Sequence, residues 1–268
     1  MSSPAAVRPP QRSSVTRYRH ALWLLTKRDL RVRYSTSALG YVWSILDPLV
    51  MAGIYWFVFA VVFDRGGRIG EQPYIVFLLI GLLPWMWFNG AVSDSTRAFL
   101  REAKLVRSTS IPRTIWVNRL VLSKGIEFIA ALPVLALFAI VGGAALHWEA
   151  VFFPLAILIQ AILTVGVGLI VAPLVVFFRD LERATKLILR FLFYASPIVY
   201  GLSDLPPEIQ PFARFNPLAG IFSLYRGAFF PAQIDWLAVA IAIGMSLLFL
   251  ALGLWIFKRS ERTVLKEL

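Results

Sequence analysis

The chain has 268 residues, 59% of them apolar and only 16% charged, against ~25% charged in soluble domains. With a mean hydropathy of +0.73, it has too little polar surface to coat a water-soluble globule of this size. That excludes an ordinary cytosolic enzyme and a disordered or fibrous protein, and leaves an integral membrane protein. No cysteine is present, and the two histidines, His20 and His147, lie far apart. Disulfides and thiolate chemistry are therefore excluded, and no metal centre is expected.

Residues 1–16 hold Pro4, Pro9, Pro10 and several serines without an apolar run. They predict a flexible cytoplasmic tail with no secretory signal. Residues 17–40 read as an amphipathic helix lying in the headgroup plane. Tyr18, Leu22, Trp23, Leu25, Thr26 and Leu30 share one arc, and His20, Lys27, Arg28 and Arg31 the other, with Arg19, Asp29 and Arg33 blurring the boundary. A solvated juxtamembrane linker is the plainer alternative. Six apolar runs follow, at about 41–63, 74–93, 115–141, 150–178, 186–202 and 235–257, each near the ~20 residues a spanning helix needs. Between the last two, residues 203–232 are half apolar but interrupted by Pro206, Pro207, Pro211, Pro217 and Pro231. A stretch too apolar for a free loop and too broken to span predicts two short re-entrant helices. The fold class is thus all-α integral membrane, and residues 258–268 form a basic cytoplasmic tail.

Lys and Arg together number 27. Segments 1–40, 96–124, 179–190 and 258–268 hold 23 of them. Only Arg65, Arg68, Arg214 and Arg226 fall in 64–73 and 203–235. The rich and poor segments alternate across six spans, which places both termini in the cytoplasm and explains the net +12 without nucleic acid.

No G-x-x-x-x-G-K-[ST], H-E-x-x-H or G-x-S-x-G occurs, so the chain is not expected to be an enzyme, and any ATP and Mg belong to a partner. Asp180 and Glu182 sit among Arg179, Arg183 and Lys186 and read as a self-neutralised loop. An ion-driven carrier keeps ionisable groups at mid-membrane. Its candidates, Asp47 beside Pro48 and the i,i+3 pair Lys124 and Glu127, make a thin case. The cytoplasmic segment 94–113 is more telling. Asp94-Ser95-Thr96 offers an N-cap, 97–107 reads as a short basic helix, and Pro112 ends it. Arg101, Glu102, Lys104, Leu105, Arg107 and Pro112 are its candidate docking residues toward a cytoplasmic protein; a plain connecting helix is the alternative. Aromatics number 9 Trp, 8 Tyr and 21 Phe. Tyr55, Trp56, Phe57 and Phe59 crowd one span, Trp85, Trp87 and Phe88 a second, and Phe191, Phe193, Tyr194 and Tyr200 a third. Interfacial belts and lipid-facing packing explain part of this; stacking against sugars in a conduit is the other reading.

Seven features in fixed order carry a resemblance. They are 28–43 (RDLRVRYSTSALGYVW), 81–88 (GLLPWMWF), 111–113 (IPR), 177–182 (FFRDLE), 196–200 (SPIVY), 215–226 (FNPLAGIFSLYR) and the basic tail. With six spans and a Pro-rich segment before the last, the chain resembles the transmembrane subunit of a type-two ABC exporter, of the polysaccharide-export branch (O-antigen, teichoic acid or galactan). It departs at Asp47, where an uncharged polar residue such as glutamine is expected. The resemblance implies a homodimer in the bacterial inner membrane, with two copies of a separate nucleotide-binding ATPase. It implies a gate role for 17–36, a coupling role for 97–112 and closure of the outer mouth by 203–232. The implied substrate is a polymer on a polyprenyl diphosphate. Lys27, Arg28, Arg31 and Arg33 lie at headgroup depth and are candidates to hold that diphosphate; anchoring to anionic lipid is the plainer role. A small-drug or lipid exporter of the same fold, an ion-driven carrier and a membrane glycosyltransferase are the competing readings.

Overall fold

Backbone groups in hydrocarbon must find their partners within the chain, which leaves helices as the spanning element for this composition. The computed structural model describes residues 14–35, 40–62, 68–69, 72–108 and 111–267. The tail at 1–13, part of the 17–40 and 97–112 segments, and the side chains of Asp47, Pro48 and Phe59 lie outside the described residues. Helix α1 (Ser14–Ser35) is followed by α2 (Gly40–Trp56), which continues as a π-helical turn, Phe57–Val62. A two-residue hairpin, β1 (Arg68–Ile69) with β2 (Gln72–Pro73), leads into α3 (Tyr74–Ser95). Next come α4 (Ala103–Ser108), α5 (Ile115–Val141), a 3-10 turn Trp148–Phe152, α6 (Phe153–Phe177) and α7 (Leu181–Ala195). The chain closes with α8 (Gln210–Arg214), α9 (Pro217–Gly227) and α10 (Trp236–Glu267), with 3-10 turns at Leu202–Asp204 and Pro231–Gln233.

Among the described residues, four helices are long and apolar enough to cross a membrane: Tyr74–Ser95, Ile115–Val141, Trp148–Phe177 and Trp236–Glu267. They answer to the expected spans two, three, four and six. The run expected as the first span holds α2, of 17 residues, with its π turn, and is not among these four. The fifth is shorter than its apolar run, because Pro197 pushes Ser196 into extended backbone (φ −100°, ψ 147°) and stops α7 at Ala195. Two further boundaries move. The helix expected over 97–107 forms only at Ala103–Ser108, after tight turns in which Arg97 N–H and Ala98 N–H bond the carbonyls of Asp94 and Ser95. Burial of Phe99, whose ring lies 5.8 Å from Phe257, holds those turns beneath α10. The expected basic tail is a continuation of α10 to Glu267.

Helix α3 is apolar on every side and sits at the centre, buried by α2, α5, α6 and α9. Helix α9 is buried along its whole length from Leu218. The broadest packing joins α6 to α10, where two glycines let the backbones touch. A methyl on Gly166 would lie 2.5 Å from Leu250 N, and one on Gly253 would run into the Gly166 carbonyl. Gly253→Val is therefore expected to lower stability by about 1–3 kcal/mol through overpacking. Gly244→Ala, where a methyl meets nothing within 4 Å, should leave the detergent melting temperature in place. Equal melting of the two variants would refute the close crossing.

Candidate functional site

The charged residues of α1 are distributed by what they can reach. Tyr18, Leu22 and Leu25 pack inward with Thr26, while Trp23, Lys27 and Arg31 stay exposed. Asn118 Nδ2 donates to Tyr18 Oη at 2.7 Å and fixes the helix against α5. Nearly three turns further along α1, Arg28 donates to Glu102 of the α3–α4 turn and, at 3.4 Å, to Asp29. Arg119 of α5, its side chain only 4% exposed, donates through Nη1 to both oxygens of Asp29 at 2.6 and 2.7 Å. Its Nη2 lies 3.6 Å from Glu102, and its guanidinium sits 5.0 Å from the Trp116 ring. Arg33 reaches Glu127 (2.7 Å) and Asp94 (2.8 Å), and Lys124 closes the chain on Glu127 at 2.7 Å.

Four cations and four carboxylates thus tie α1, the end of α3 with its following turn, and α5 into one junction. Six of these eight, all but Lys124 and Glu127, line a cleft of about 560 Å³. The junction itself is electrically balanced. Burial pushes the Asp29 carboxyl above its ordinary range, against the pull of Arg119 and Arg28. Burial works against the charge on Arg33 as well, but the Glu127 and Asp94 carboxylates outweigh it and raise its pKa. The surplus positive charge stands outside: Arg101, Lys27 and Arg31 are exposed, with no acidic partner among the described residues.

Arg97 turns the other way, to Glu182 at the start of α7 (2.6 Å), which also accepts from Lys186 (2.7 Å). The acidic loop is thus neutralised partly by the α3–α4 turn rather than only by itself. Hydrogen bonds from Arg97 and Lys186 hold the Glu182 carboxyl down to about 2. A depressed acid contributes stability above its unfolded value and loses it only as pH falls toward the folded one. This tie is therefore constant at near-neutral pH. In the expected docking segment, Glu102 joins the junction and Val106 is buried. Arg101, Lys104, Leu105, Arg107 and Pro112 face outward.

The aromatic candidates divide. Phe193 gathers Tyr55 (5.7 Å), Trp85 (5.5 Å) and Tyr194 (5.1 Å) around its ring. Tyr200 donates to the Tyr194 carbonyl at 3.0 Å. Trp87 is turned into the bundle, donating to the Val121 carbonyl and stacking on Phe128, and Phe88 is buried beside Trp85. Trp56 and Phe191 stand exposed at the surface.

Two buried arginines were not singled out from the sequence, Arg119 and Arg226. Arg226, 2% exposed, donates to the carbonyls of Tyr200 (2.9 Å) and Ile198 (2.7 Å), and its guanidinium lies 3.7 Å from the Phe77 ring centre. It thereby supplies donors to the bent, non-helical stretch 196–200, which has no helix of its own to satisfy it. The signal was Pro197, which leaves those carbonyls free.

Residues 20–230, from α1 through α9 and so including the whole junction, match the model of the ABC-2 type transporter family. The chain belongs to that family. Among its relatives, the O-antigen export system permease protein RfbA of Klebsiella pneumoniae is 34% identical over 89% of this chain and 91% of its own. RfbA of Myxococcus xanthus is 28% identical, over 91% and 94%. The polysialic acid transport protein KpsM of Escherichia coli is 25% identical, over 89% and 92%. As an ABC-2 type transporter chain, the protein is thus covered from α1 to α9, and the ionic junction and the Arg226 buttress both fall inside the match.

Proposed function

We propose that this chain is the permease subunit of an ATP-driven exporter moving a lipid-linked polysaccharide across the bacterial inner membrane. The observation that carries the reading is 34% identity, along 89% of the chain, to a protein named as an O-antigen export permease. In this reading six segments span. Residues 40–62 cover ~34 Å as helix, enough for a ~30 Å core. The ~22 Å of α7 fall short of that thickness, and in this reading the non-helical stretch 196–200 completes the fifth crossing. Helices α8 and α9 form the re-entrant pair at the outer mouth, and both termini face the cytoplasm, following the 23 cations on that side.

Two copies of the chain pair with two copies of a separate ATPase that binds ATP and Mg. The segment 97–112 receives the ATPase, and α1 is the gate. The junction at Glu102 then has a clear use, since any tilt of the α3–α4 turn pulls on Arg28 and Arg119 together. Lys27, Arg31 and Arg101, the exposed cations, are the groups left to meet a polyprenyl diphosphate, while Arg28 and Arg33 are engaged by carboxylates. Bilayer lipids occupy the remaining apolar faces.

Deleting the gene in its host tests the reading. Surface polysaccharide should disappear while lipid-linked polymer accumulates inside, and the purified chain alone should hydrolyse no ATP. Unchanged surface polymer in the deletion strain would overturn it.

A further inference from the structure

At the far end of the bundle from the ionic junction, four short elements converge on a second polar cleft. The 3-10 turn Leu202–Asp204, α8, the 3-10 turn Pro231–Gln233 and the first residue of α10 enclose about 340 Å³. Helix α10 measures the separation. Trp236 stands at this cleft, while Glu261 of the same helix pairs with Arg113 beside the α4 side at 3.0 Å. Twenty-five residues of helix are ~37 Å, more than a bilayer core.

The lining has a particular chemistry. Arg214 Nε donates to Asp235 Oδ2 at 2.7 Å, so the full charges of the lining residues cancel; Asp204, at the end of the first turn, is outside the lining and accepts from Gly201 N–H at 2.8 Å. Asp235 Oδ1 also accepts from Ala238 N–H at 3.0 Å, which caps α10 and removes its N-terminus as an anion site. Gln233 Oε1 is buried and has no hydrogen-bond partner. It faces Gly201, where an added methyl would come within 3.4 Å of it. A buried acceptor without a donor is a group that a ligand hydroxyl can satisfy. Gln210 uses its Nε2 on the Leu205 carbonyl at 2.9 Å, and Ser203 contributes a hydroxyl at the rim. Beside these, Trp236 is 55% exposed, its indole held edge-on by Phe152 at 5.2 Å and 83°.

A phosphate or a metal ion would need uncompensated charge, and the residues that line the cleft supply none. An apolar tail would leave Gln233 and Arg214 unsatisfied. A neutral ring with hydroxyls on its edge and C–H groups on its face fits both the acceptor and the indole. We propose that this cleft is a saccharide subsite, holding one neutral pyranose residue of the exported chain on the exit side of the membrane. The proposal rests on the polysaccharide-export reading above and adds to it a place where the polymer is held after crossing.

The probe is an oligosaccharide released by mild acid from the host's own surface polymer, offered to the full permease–ATPase complex in nanodiscs of neutral lipid. Binding is read by saturation-transfer NMR. Trp236→Ala and Gln233→Leu should each weaken binding about tenfold, from loss of the stacking face and of the hydrogen-bond acceptor respectively. Trp236→Tyr, which keeps an aromatic face, should stay within about threefold. Trp255→Ala removes an indole that is 62% exposed and lies outside the cleft, nineteen residues along α10 from Trp236, and it should change nothing. Unchanged affinity in both cleft variants overturns the subsite, as does an equal loss in Trp255→Ala. Displacement of the oligosaccharide by glycerol 1-phosphate would also overturn it, by making the cleft a headgroup site. The deletion strain keeps the two readings apart. Persistent surface polymer there would refute polysaccharide export itself, whereas its loss together with normal binding in the cleft variants refutes only the subsite.

Discussion

Arg119→Leu should destabilise the protein by about 3 kcal/mol, the lower end of the cost of stripping one partner from a buried ion pair. The guanidinium is almost wholly enclosed and serves two carboxylates, Asp29 and Glu102, on two different elements. Removing it leaves both facing a site built for a cation, with only Arg28 still in reach. Arg119→Lys keeps the charge but loses the fork, so its loss should be smaller. In the double variant Arg119→Leu/Asp29→Leu part of the loss should return, since one orphaned charge is gone.

The pH dependence has a definite sign. Asp29 is already raised by burial, and Arg119 is one of the groups pulling it down. Without Arg119 the folded-state value rises further, so the native variant takes up a proton more readily than the unfolded chain does. Its deficit should be full above that raised value and narrow as pH falls through it. Chemical denaturation in detergent at two pH values measures both effects. A loss below about 0.5 kcal/mol, the size of an ordinary surface substitution, would show that the junction is dispensable for stability.

Leu105→Pro should abolish polymer-stimulated ATPase activity of the complex while leaving the helices inserted. Proline in a helix interior costs ~3 kcal/mol and also pushes the preceding residue, Lys104, out of helical backbone. Helix α4 has six residues, too few to absorb such a break. Leu105 is itself 38% exposed, whereas its neighbour Val106 is fully buried. The substitution therefore removes the outward face without emptying the core. Protease resistance of the variant and its co-purification with the ATPase separate lost coupling from lost folding. Normal stimulated turnover in a correctly inserted variant would place the docking site elsewhere.

The class of the molecule and its long helices were legible because they rest on composition and on runs of apolar residues. Runs near 74–93, 115–141, 150–178 and 235–257 became helices that meet the spanning length. Pairing of Lys124 with Glu127 was legible for a similar reason, since residues three apart share a helix face. The ends of α7 and α10 were less so. At α7 the apolar run continues to residue 202, but Pro197 ends the helix earlier. At α10 the last turns are polar, yet the helix persists to Glu267, because nothing in that stretch breaks it.

The sites depended on contacts between residues far apart in the chain. Arg28, Arg31 and Arg33 look alike in the sequence. Only the fold turns Arg28 and Arg33 toward Glu102, Asp94 and Glu127 while leaving Arg31 outside. Asp29 and Arg119 are ninety positions apart, and no local pattern links them. By itself, then, the sequence determined an integral membrane helical protein with its cations gathered into a few segments, because hydropathy and charge act locally and add along the chain. Which cations are neutralised, which backbone carbonyls Arg226 must satisfy, and where Gln233 is left without a donor were decided by tertiary structure. Those outcomes depend on distance and burial, which packing alone sets.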